Sequence, residues 1–216
     1  MRAEDGFTLV ELVMTVAILG IVVAGLSGVV IQYLKTAGTT QARLTESVDQ
    51  QFVSTYWQQD VSSLGRRGYA PAAADPFPSQ SSVWVGSSPP GCGGPVGTVV
   101  IGFGWQDYPS AENDPDQAWT ATVSHVAKYV ATTTDGQTRL TRVRCLGGSV
   151  TDTHVVARHL TAAPTVACHD SVGALTPCTS ASPLPATVTL TIDVGVQDGP
   201  GTTTYSTTLT AERRQG

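Results

Sequence analysis

Residues 6–31 read GFTLVELVMTVAILGIVVAGLSGVVI, and this stretch decides the architecture expected of the chain. The run from Phe7 to Ile31 contains one charged residue, Glu11. An apolar run of about 18 residues or more is long enough to cross a membrane as a helix. A carboxylate near the start of such a helix is costly in hydrocarbon, so we expect it to have a partner and a function.

Three interpretations of this segment differ in what they explain. A secretory signal peptide has a basic start and an apolar core of about 7–15 residues. Here the apolar run is longer, and the leader MRAEDG carries Arg2 against two acidic residues. A simple N-terminal anchor explains the length but gives Glu11 no role, beyond that of a carboxylate tolerated near the membrane edge.

The third interpretation depends on the order of residues in GFTLVELVMTVAILGIV. This stretch resembles the class III signal of type IV pilins and type II secretion pseudopilins. The resemblance implies that a prepilin peptidase cuts between Gly6 and Phe7 on the cytoplasmic side and methylates the new amino group, leaving N-methylphenylalanine. It also implies that Glu11 pairs with the N-terminal amine of a neighbouring subunit. The leader, residues 1–6, is then excluded from the fold.

Small residues recur along the apolar run. Gly20, Ala24 and Gly28 are spaced by four and lie on one face of a helix. Small residues at this spacing let helices approach closely in a membrane or a filament core. We therefore expect residues 7–31 to form a transmembrane and filament-core helix that packs against other helices.

The helical pattern continues over residues 32–65 as an amphipathic segment. Its apolar positions form two neighbouring rows, Leu44, Val48, Phe52 and Tyr56 beside Val53, Trp57, Val61 and Leu64. A broad apolar face of this kind packs across a sheet. Gly65 and Gly68 indicate the end of the helix, and the charges of Arg66 and Arg67 suit a helix C-terminus.

Residues 66–216 are predicted to form a β-rich globular ectodomain, so the expected fold class is α+β, a long helix packed on an antiparallel sheet. Asp135-Gly136 predicts a tight hairpin turn. The predicted strands are Val83–Val85, Thr98–Phe103, Ala118–Thr132, Gln137–Cys145, His154–Leu160, Thr165–Cys168, Ala186–Val196 and Thr202–Ala211, and residues 106–117 read as an acidic loop.

Composition excludes several classes of function. The net charge is −5 and only 13% of residues are charged, which argues against nucleic acid as the main partner, because phosphate binding needs clustered lysine and arginine. No nucleophile, zinc-protease or phosphate-loop motif accompanies the four histidines. We therefore expect a protein that is not an enzyme.

All four cysteines follow the apolar run, which suggests two disulfides in an exported domain with three possible connectivities. Cys168 and Cys178 are close enough in sequence to close a local loop, which would leave Cys92 with Cys145. The alternative is a metal site around Cys168, His169, Asp170 and Cys178, although this spacing matches no standard zinc pattern.

The acidic loop is a candidate calcium site. Its oxygen donors are Asp107, Glu112, Asp114 and Asp116, and Ca²⁺ binds several such oxygens at once. The resemblance allows this, because some pseudopilins bind calcium in ectodomain loops. A solvated acidic loop is the simpler interpretation, and no other cofactor is expected.

The resemblance extends more loosely into the ectodomain. VSTYWQQDVSSLGRRGYAP (residues 53–71) and KYVATTTDGQTRLTRVRC (residues 128–145) are similar to the helix end and the hairpin of J-type minor pseudopilins and W-type minor pilins. This implies a minor subunit of a pilus or secretion pseudopilus, near the tip and partnered by other pilins. It also implies a single-pass protein of the cytoplasmic membrane with its N-terminus inside. An adhesive or DNA-uptake tip subunit, or an anchored binding or sensory ectodomain that never polymerises, are the alternatives.

Overall fold

A single long helix and a β-rich part make up the computed structural model, which describes residues 8–107, 122–181, 183–198 and 201–214. Helix α1 spans Leu9–Ser62, 54 residues, and its first 30 residues make no buried contact with the rest of the chain. The strands that follow are antiparallel. The predicted α+β fold class is therefore confirmed.

The helix ends at Ser62, three residues before the end predicted at Gly65. Gly65 has a φ of +151°, a conformation that disfavours other residues, and its N–H donates to the carbonyl of Gly104 in the sheet. The prediction for Arg66 and Arg67 was wrong: they form a short strand, and the last turn of α1 contains no basic residue. The pairing of this strand with a second short strand competes with helix geometry at this point.

Among the described residues, ten strands follow α1. They are β1 (Arg66–Arg67), β2 (Ser79–Gln80), β3 (Val83–Val85), β4 (Thr98–Asp107), β5 (Val123–Thr134), β6 (Gln137–Leu146), β7 (Ser149–Leu160), β8 (Thr165–His169), β9 (Thr187–Asp198) and β10 (Gly201–Glu212). The main sheet has the order β10-β9-β7-β6-β5-β4-β3, with β8 paired to β9, and β1 and β2 form a separate ribbon. Each predicted strand has a counterpart here, although residues 118–121 of the strand predicted over Ala118–Thr132 lie outside the described residues. Strand β4 continues four residues beyond Phe103, to Asp107, so the loop predicted over residues 106–117 was wrong at its first two residues, and the rest of it lies outside the described residues.

The hairpin between β5 and β6 has the predicted turn. Asp135 and Gly136 both adopt positive φ, +53° and +73°. Positive φ at both central residues is the geometry of a type I′ turn, whose twist matches that of the two strands. The hairpin places β5 and β6 in continuous register over ten residue pairs, from Thr134↔Gln137 to His125↔Leu146.

The core lies between the second half of α1 and one face of the sheet. The row Val53, Trp57, Val61 and Leu64 is buried, and Trp57 packs edge-on against Phe103 and Tyr129 at ring-centroid distances of 5.2 and 5.3 Å. The neighbouring row behaves differently. Phe52 is 55% exposed and Tyr56 is half-buried, while the side chains of Leu44 and Val48 lie outside the described residues. The buried part of the apolar face of α1 is therefore narrower at Phe52 than the sequence predicted.

The opposite face of the sheet is covered by the loop of residues 86–97. A disulfide joins Cys92 in this loop to Cys145 on β6. Nζ of Lys128 donates to the carbonyl oxygen of Cys92 at 2.9 Å, and burial lowers the pKa of this amine. The same amine also donates to Oγ of Ser88 at 3.3 Å, so the loop is fixed to the sheet by one disulfide and two hydrogen bonds from Lys128.

The second disulfide joins Cys168 to Cys178, so both suggested pairings are present. The metal-site alternative at these two cysteines is wrong, because their sulfurs are bonded to each other. Asp170 instead organises the loop between them, and its Oδ1 accepts hydrogen bonds from the backbone N–H groups of Val172 and Ala174.

Trp57→Ala should lower the free energy of unfolding by about 3–5 kcal/mol, because truncating a fully buried aromatic side chain leaves a cavity in the core. Phe52→Ala is the matched control on the same helix and should cost less than about 1 kcal/mol. Urea unfolding of the full chain in detergent micelles measures both values. Equal losses for the two variants would contradict the burial pattern.

Candidate assembly site

The first half of α1 is an exposed apolar surface. Residues Leu9–Gly38 form 30 residues of helix, long and apolar enough to cross a membrane, and their most apolar window has a mean hydropathy of 2.5 with none of it buried in the chain. Such a surface is unstable in water and needs lipid or other helices around it.

Two hydroxyl side chains within this surface are satisfied by the helix itself. The hydroxyls of Thr15 and Ser27 donate to the carbonyl oxygens of Leu12 and Val23, at 2.9 and 2.8 Å. A hydroxyl bonded back to its own helix presents little unsatisfied polarity to hydrocarbon. These two residues are therefore compatible with an apolar environment. Glu11, the one charged residue of the run from Phe7 to Ile31, still needs a partner outside its own helix.

Thr8 caps the helix in front of Glu11. Thr8 has extended backbone geometry (φ −77°, ψ 147°), and its Oγ1 accepts a hydrogen bond from the N–H of Glu11 at 3.3 Å. Thr8 and Glu11 have the Ser/Thr-x-x-Glu spacing of a capping box, a sequence signal for a helix start that was not among the features used to predict α1. The carboxylate also lies in the first turn, where the helix dipole favours negative charge.

The carboxylate of Glu11 has no ion-pair partner among residues 8–107, 122–181, 183–198 and 201–214. Gly6 and Phe7, where the resemblance implies cleavage and methylation, lie outside the described residues. Gly20, Ala24 and Gly28 are helical and exposed, and a Cβ added at either glycine would meet nothing within 4 Å. Their role in packing against other helices stays a prediction.

A buried ion pair fixes the second half of α1 to the sheet. Asp60 on α1 receives two hydrogen bonds from Arg142 on β6, Nε to Oδ2 at 2.7 Å and Nη2 to Oδ1 at 2.6 Å. The hydroxyl of Tyr129 on β5 donates to the same Oδ2 at 2.8 Å. All three residues are at most 2% exposed. We call Asp60, Tyr129 and Arg142 the helix clamp.

Burial and charge act together on the clamp. Burial raises the pKa of the Tyr129 hydroxyl, and the negative charge of Asp60 raises it further, against the smaller opposing effect of Arg142. Burial alone would lower the pKa of Arg142, but the hydrogen bonds and charge of Asp60 outweigh it, so the pKa is raised. The guanidinium therefore stays charged. Its Cζ lies 4.5 Å from the ring centroid of Tyr56.

The calcium candidates are only partly described. Asp107 ends β4, and its Oδ2 lies 2.6 Å from Nε2 of His125 on β5. Glu112, Asp114 and Asp116 lie outside the described residues. Within the part of the chain that the structure describes, no group of three or more histidine, cysteine or acidic residues is placed to hold a metal ion.

The helix and its charged first turn agree with a comparison against known families. Residues 1–27 match the prokaryotic N-terminal methylation motif. The match supports a type IV pilin-like prepilin signal and covers the leader and the first part of α1. A search of curated proteins found no match to the chain.

The motif and the fold together support a type IV pilin or pseudopilin-like subunit, anchored in a membrane through α1. Such a subunit implies processing by a prepilin peptidase and assembly with other pilins. The signal points to a structural protein rather than to an enzyme.

Asp60→Asn should destabilise the chain by about 3–5 kcal/mol, because it leaves the buried cation of Arg142 without its counter-charge. Asp152→Asn is the control. Asp152 is partly exposed, and its Oδ2 lies 3.7 Å from Nη1 of Arg142. This substitution should therefore lower the free energy of unfolding by less than about 1 kcal/mol. Urea unfolding in micelles distinguishes them. If Asp60→Asn lowers the free energy of unfolding less than Asp152→Asn does, the helix clamp contributes little to stability.

The raised pKa of Tyr129 predicts alkaline sensitivity. Above about pH 10 the unfolded chain releases the tyrosine proton while the folded chain keeps it, so the unfolded state binds fewer protons. The free energy of unfolding should therefore fall as the pH rises above this value, and the contribution is fully present below it. Tyr129→Phe should flatten this fall. An identical slope in the wild type and the variant would contradict the prediction.

Proposed function

We propose that this chain is a minor subunit of a type IV pilus or a type II secretion pseudopilus, at or near the tip of the filament. The observation that carries the proposal is the exposed apolar half of α1, Leu9–Gly38, which follows a methylation motif and is not buried by its own chain. Lipid surrounds the apolar surface of such a helix before assembly, and neighbouring helices surround it after assembly.

Glu11 sets the axial position that an incoming subunit takes during assembly. A carboxylate in an apolar environment is costly unless a positive group pairs with it, and the attraction strengthens as the dielectric constant falls. Cleavage between Gly6 and Phe7 creates such a positive group at the N-terminus of each subunit. Pairing of Glu11 with the amine of a neighbour offsets two desolvated charges at once and favours one axial position of the incoming helix.

The proposed topology places the N-terminus in the cytoplasm and the sheet outside. The two disulfides support an extracytoplasmic ectodomain, because disulfides persist in oxidising compartments. Processing by a prepilin peptidase then occurs on the cytoplasmic side. The mature subunit remains a single-pass protein of the cytoplasmic membrane until it is extracted into the filament.

The minor, tip-proximal role draws support from the helix clamp. The two stretches that resemble J-type pseudopilins and W-type pilins, residues 53–71 and 128–145, meet in the fold. They contribute Asp60 from the first stretch and Tyr129 and Arg142 from the second. The two stretches thus form one contact that docks the helix on the sheet, and this supports treating their resemblance to those subunits as a single similarity.

Two variants of Glu11 test the proposal in the native host. Glu11→Ala removes both the charge and the carboxyl at the capping-box position, whereas Glu11→Gln removes the charge and keeps a residue type that suits that position. We expect both to reduce the amount of the subunit that is crosslinked to other prepilin-type proteins in membranes or recovered in filaments, because the charge sets the pairing. Mass spectrometry checks that each mature chain begins at methylated Phe7.

The outcomes separate the alternatives. Normal assembly of both variants would contradict the proposal and favour an anchored binding or sensory ectodomain that never polymerises. Rescue by Glu11→Gln alone would assign Glu11 to helix capping. Retention of the leader by the wild-type chain in cells with an active prepilin peptidase would overturn the processing step itself.

A further inference from the structure

Residues 36–40 of α1 read TAGTT and are poorly suited to the interior of a helix. Glycine loses more conformational freedom in a helix than any other residue, and threonine loses side-chain freedom against the preceding turn. No other five-residue stretch of α1 contains four threonine or glycine residues. We call residues 36–40 the weak segment.

Two threonine hydroxyls of the weak segment bond back to the helix. The hydroxyl of Thr36 donates to the carbonyl oxygen of Gln32 at 3.0 Å, and that of Thr40 donates to the carbonyl oxygen of Thr36 at 2.9 Å. Bonds of this kind slightly destabilise a helix and favour bending. Thr36 and Thr40 are four residues apart and lie on one face of α1, so both bonds favour a bend in the same direction.

Gly38 has no packing role among the described residues. It is exposed, and a Cβ added to it would meet nothing within 4 Å. No contact described within the chain therefore requires a glycine at this position. The effect of Gly38 on the subunit is through the backbone, because a glycine makes the interior of a helix less stable than an alanine does.

The weak segment lies beyond the part of α1 that suits hydrocarbon. At 1.5 Å per residue, Thr36 is about 40 Å along the helix from Leu9, whereas the hydrocarbon core of a bilayer is about 30 Å thick. Tyr33 and Lys35 come just before the weak segment, and both residue types are common at the boundary between lipid and water. The weak segment therefore lies on the aqueous side of this boundary.

The docked part of α1 begins farther along the helix. Contacts with the sheet are described from Gln50 onward, where Nε2 donates to Oγ1 of Thr207 at 2.9 Å, and the first buried side chain described in α1 is Val53. Gln50 lies about 15 Å beyond Thr40. The weak segment thus separates a half that suits lipid from a half that is packed on the sheet. A helical segment in water is marginally stable when its residues are poor helix formers.

We propose that the weak segment is a hinge, which opens in the membrane-anchored subunit and lets the sheet change its angle to the first half of α1. Opening breaks backbone hydrogen bonds of residues 36–40, and water replaces them. The helix clamp and the buried row from Val53 to Leu64 lie beyond the hinge, so the second half of α1 and the sheet move together. In the filament of the proposed function, neighbouring helices surround the weak segment and hold it straight.

Hydrogen–deuterium exchange of the full chain in lipid nanodiscs tests the local opening. The amides of residues 36–40 should exchange at least about tenfold faster than those of residues 53–62, which belong to the docked half. A triple variant with Thr36→Ala, Gly38→Ala and Thr40→Ala places the best helix former at three positions. It should slow exchange in the weak segment about tenfold.

Thr55→Ala is the matched control. The hydroxyl of Thr55 makes the same kind of bond, to the carbonyl oxygen of Gln51 at 2.9 Å, but it lies in the docked half of α1. This variant should leave the exchange of residues 36–40 unchanged. An effect of Thr55→Ala as large as that of the triple variant would overturn the location of the hinge.

Pulsed electron paramagnetic resonance measures the change of angle directly. Spin labels attached at Ser27→Cys and Gln51→Cys lie on opposite sides of the weak segment, and both positions are exposed. A straight helix places the two backbone positions about 36 Å apart and gives one narrow distance distribution. The otherwise unchanged chain should give a broad distribution that extends to shorter distances, and the triple variant should give a narrow one.

Three results would overturn the hinge. These are exchange in residues 36–40 as slow as in residues 53–62, no slowing in the triple variant, and equally narrow distance distributions in both chains. All the measurements use the unassembled subunit, so they do not depend on the pairing of Glu11 or on filament formation. Failure of the proposed function in the host would leave these measurements unchanged.

Discussion

The buried ion pair between Asp60 and Arg142 sets how the two parts of this chain are joined, within the apolar contact that Trp57 makes with the sheet. It lies where α1 meets the sheet, and Tyr129 completes the hydrogen bonding of the carboxylate. A buried pair of charges contributes little net stability compared with apolar residues, but losing one partner is expensive. The pair therefore acts mainly against misplacement, since any other register of α1 on the sheet would leave Asp60 or Arg142 buried and unpaired.

Helix α1 depends on this contact because its two halves suit different surroundings. The first half, Leu9–Gly38, is largely apolar and is not buried by the described part of the chain, whereas the second half buries the row from Val53 to Leu64 against the sheet. In a filament, the proposed axial pairing of Glu11 positions one end of the helix, and the helix clamp positions the other. A subunit built this way holds its sheet in a defined position relative to the helical core.

Several features were predictable because they depend on neighbouring residues. The apolar run, the Asp135-Gly136 turn and the alternating strands follow local rules of length, backbone conformation and periodicity. The predictions were wrong where contacts with residues distant in sequence determine the local structure. Arg66 and Arg67 read as a helix terminus but pair as a strand. Phe52 read as a core residue but remains 55% exposed, whereas Tyr56 in the same row packs against Arg142 and His154 of the sheet. The Thr8–Glu11 capping box was a local signal that could have been found from the sequence.

The sequence by itself determined the prepilin-like signal, the membrane-length helix and the α+β order of elements, since each is encoded within a short window of residues. Only the tertiary structure decided that Asp60 meets Arg142 and Tyr129, which are 82 and 69 residues away. The physical reason is that a local sequence pattern indicates which face of a segment is buried, but it does not indicate which other segment buries that face. The choice of partners between segments depends on how the whole sheet and helix pack together.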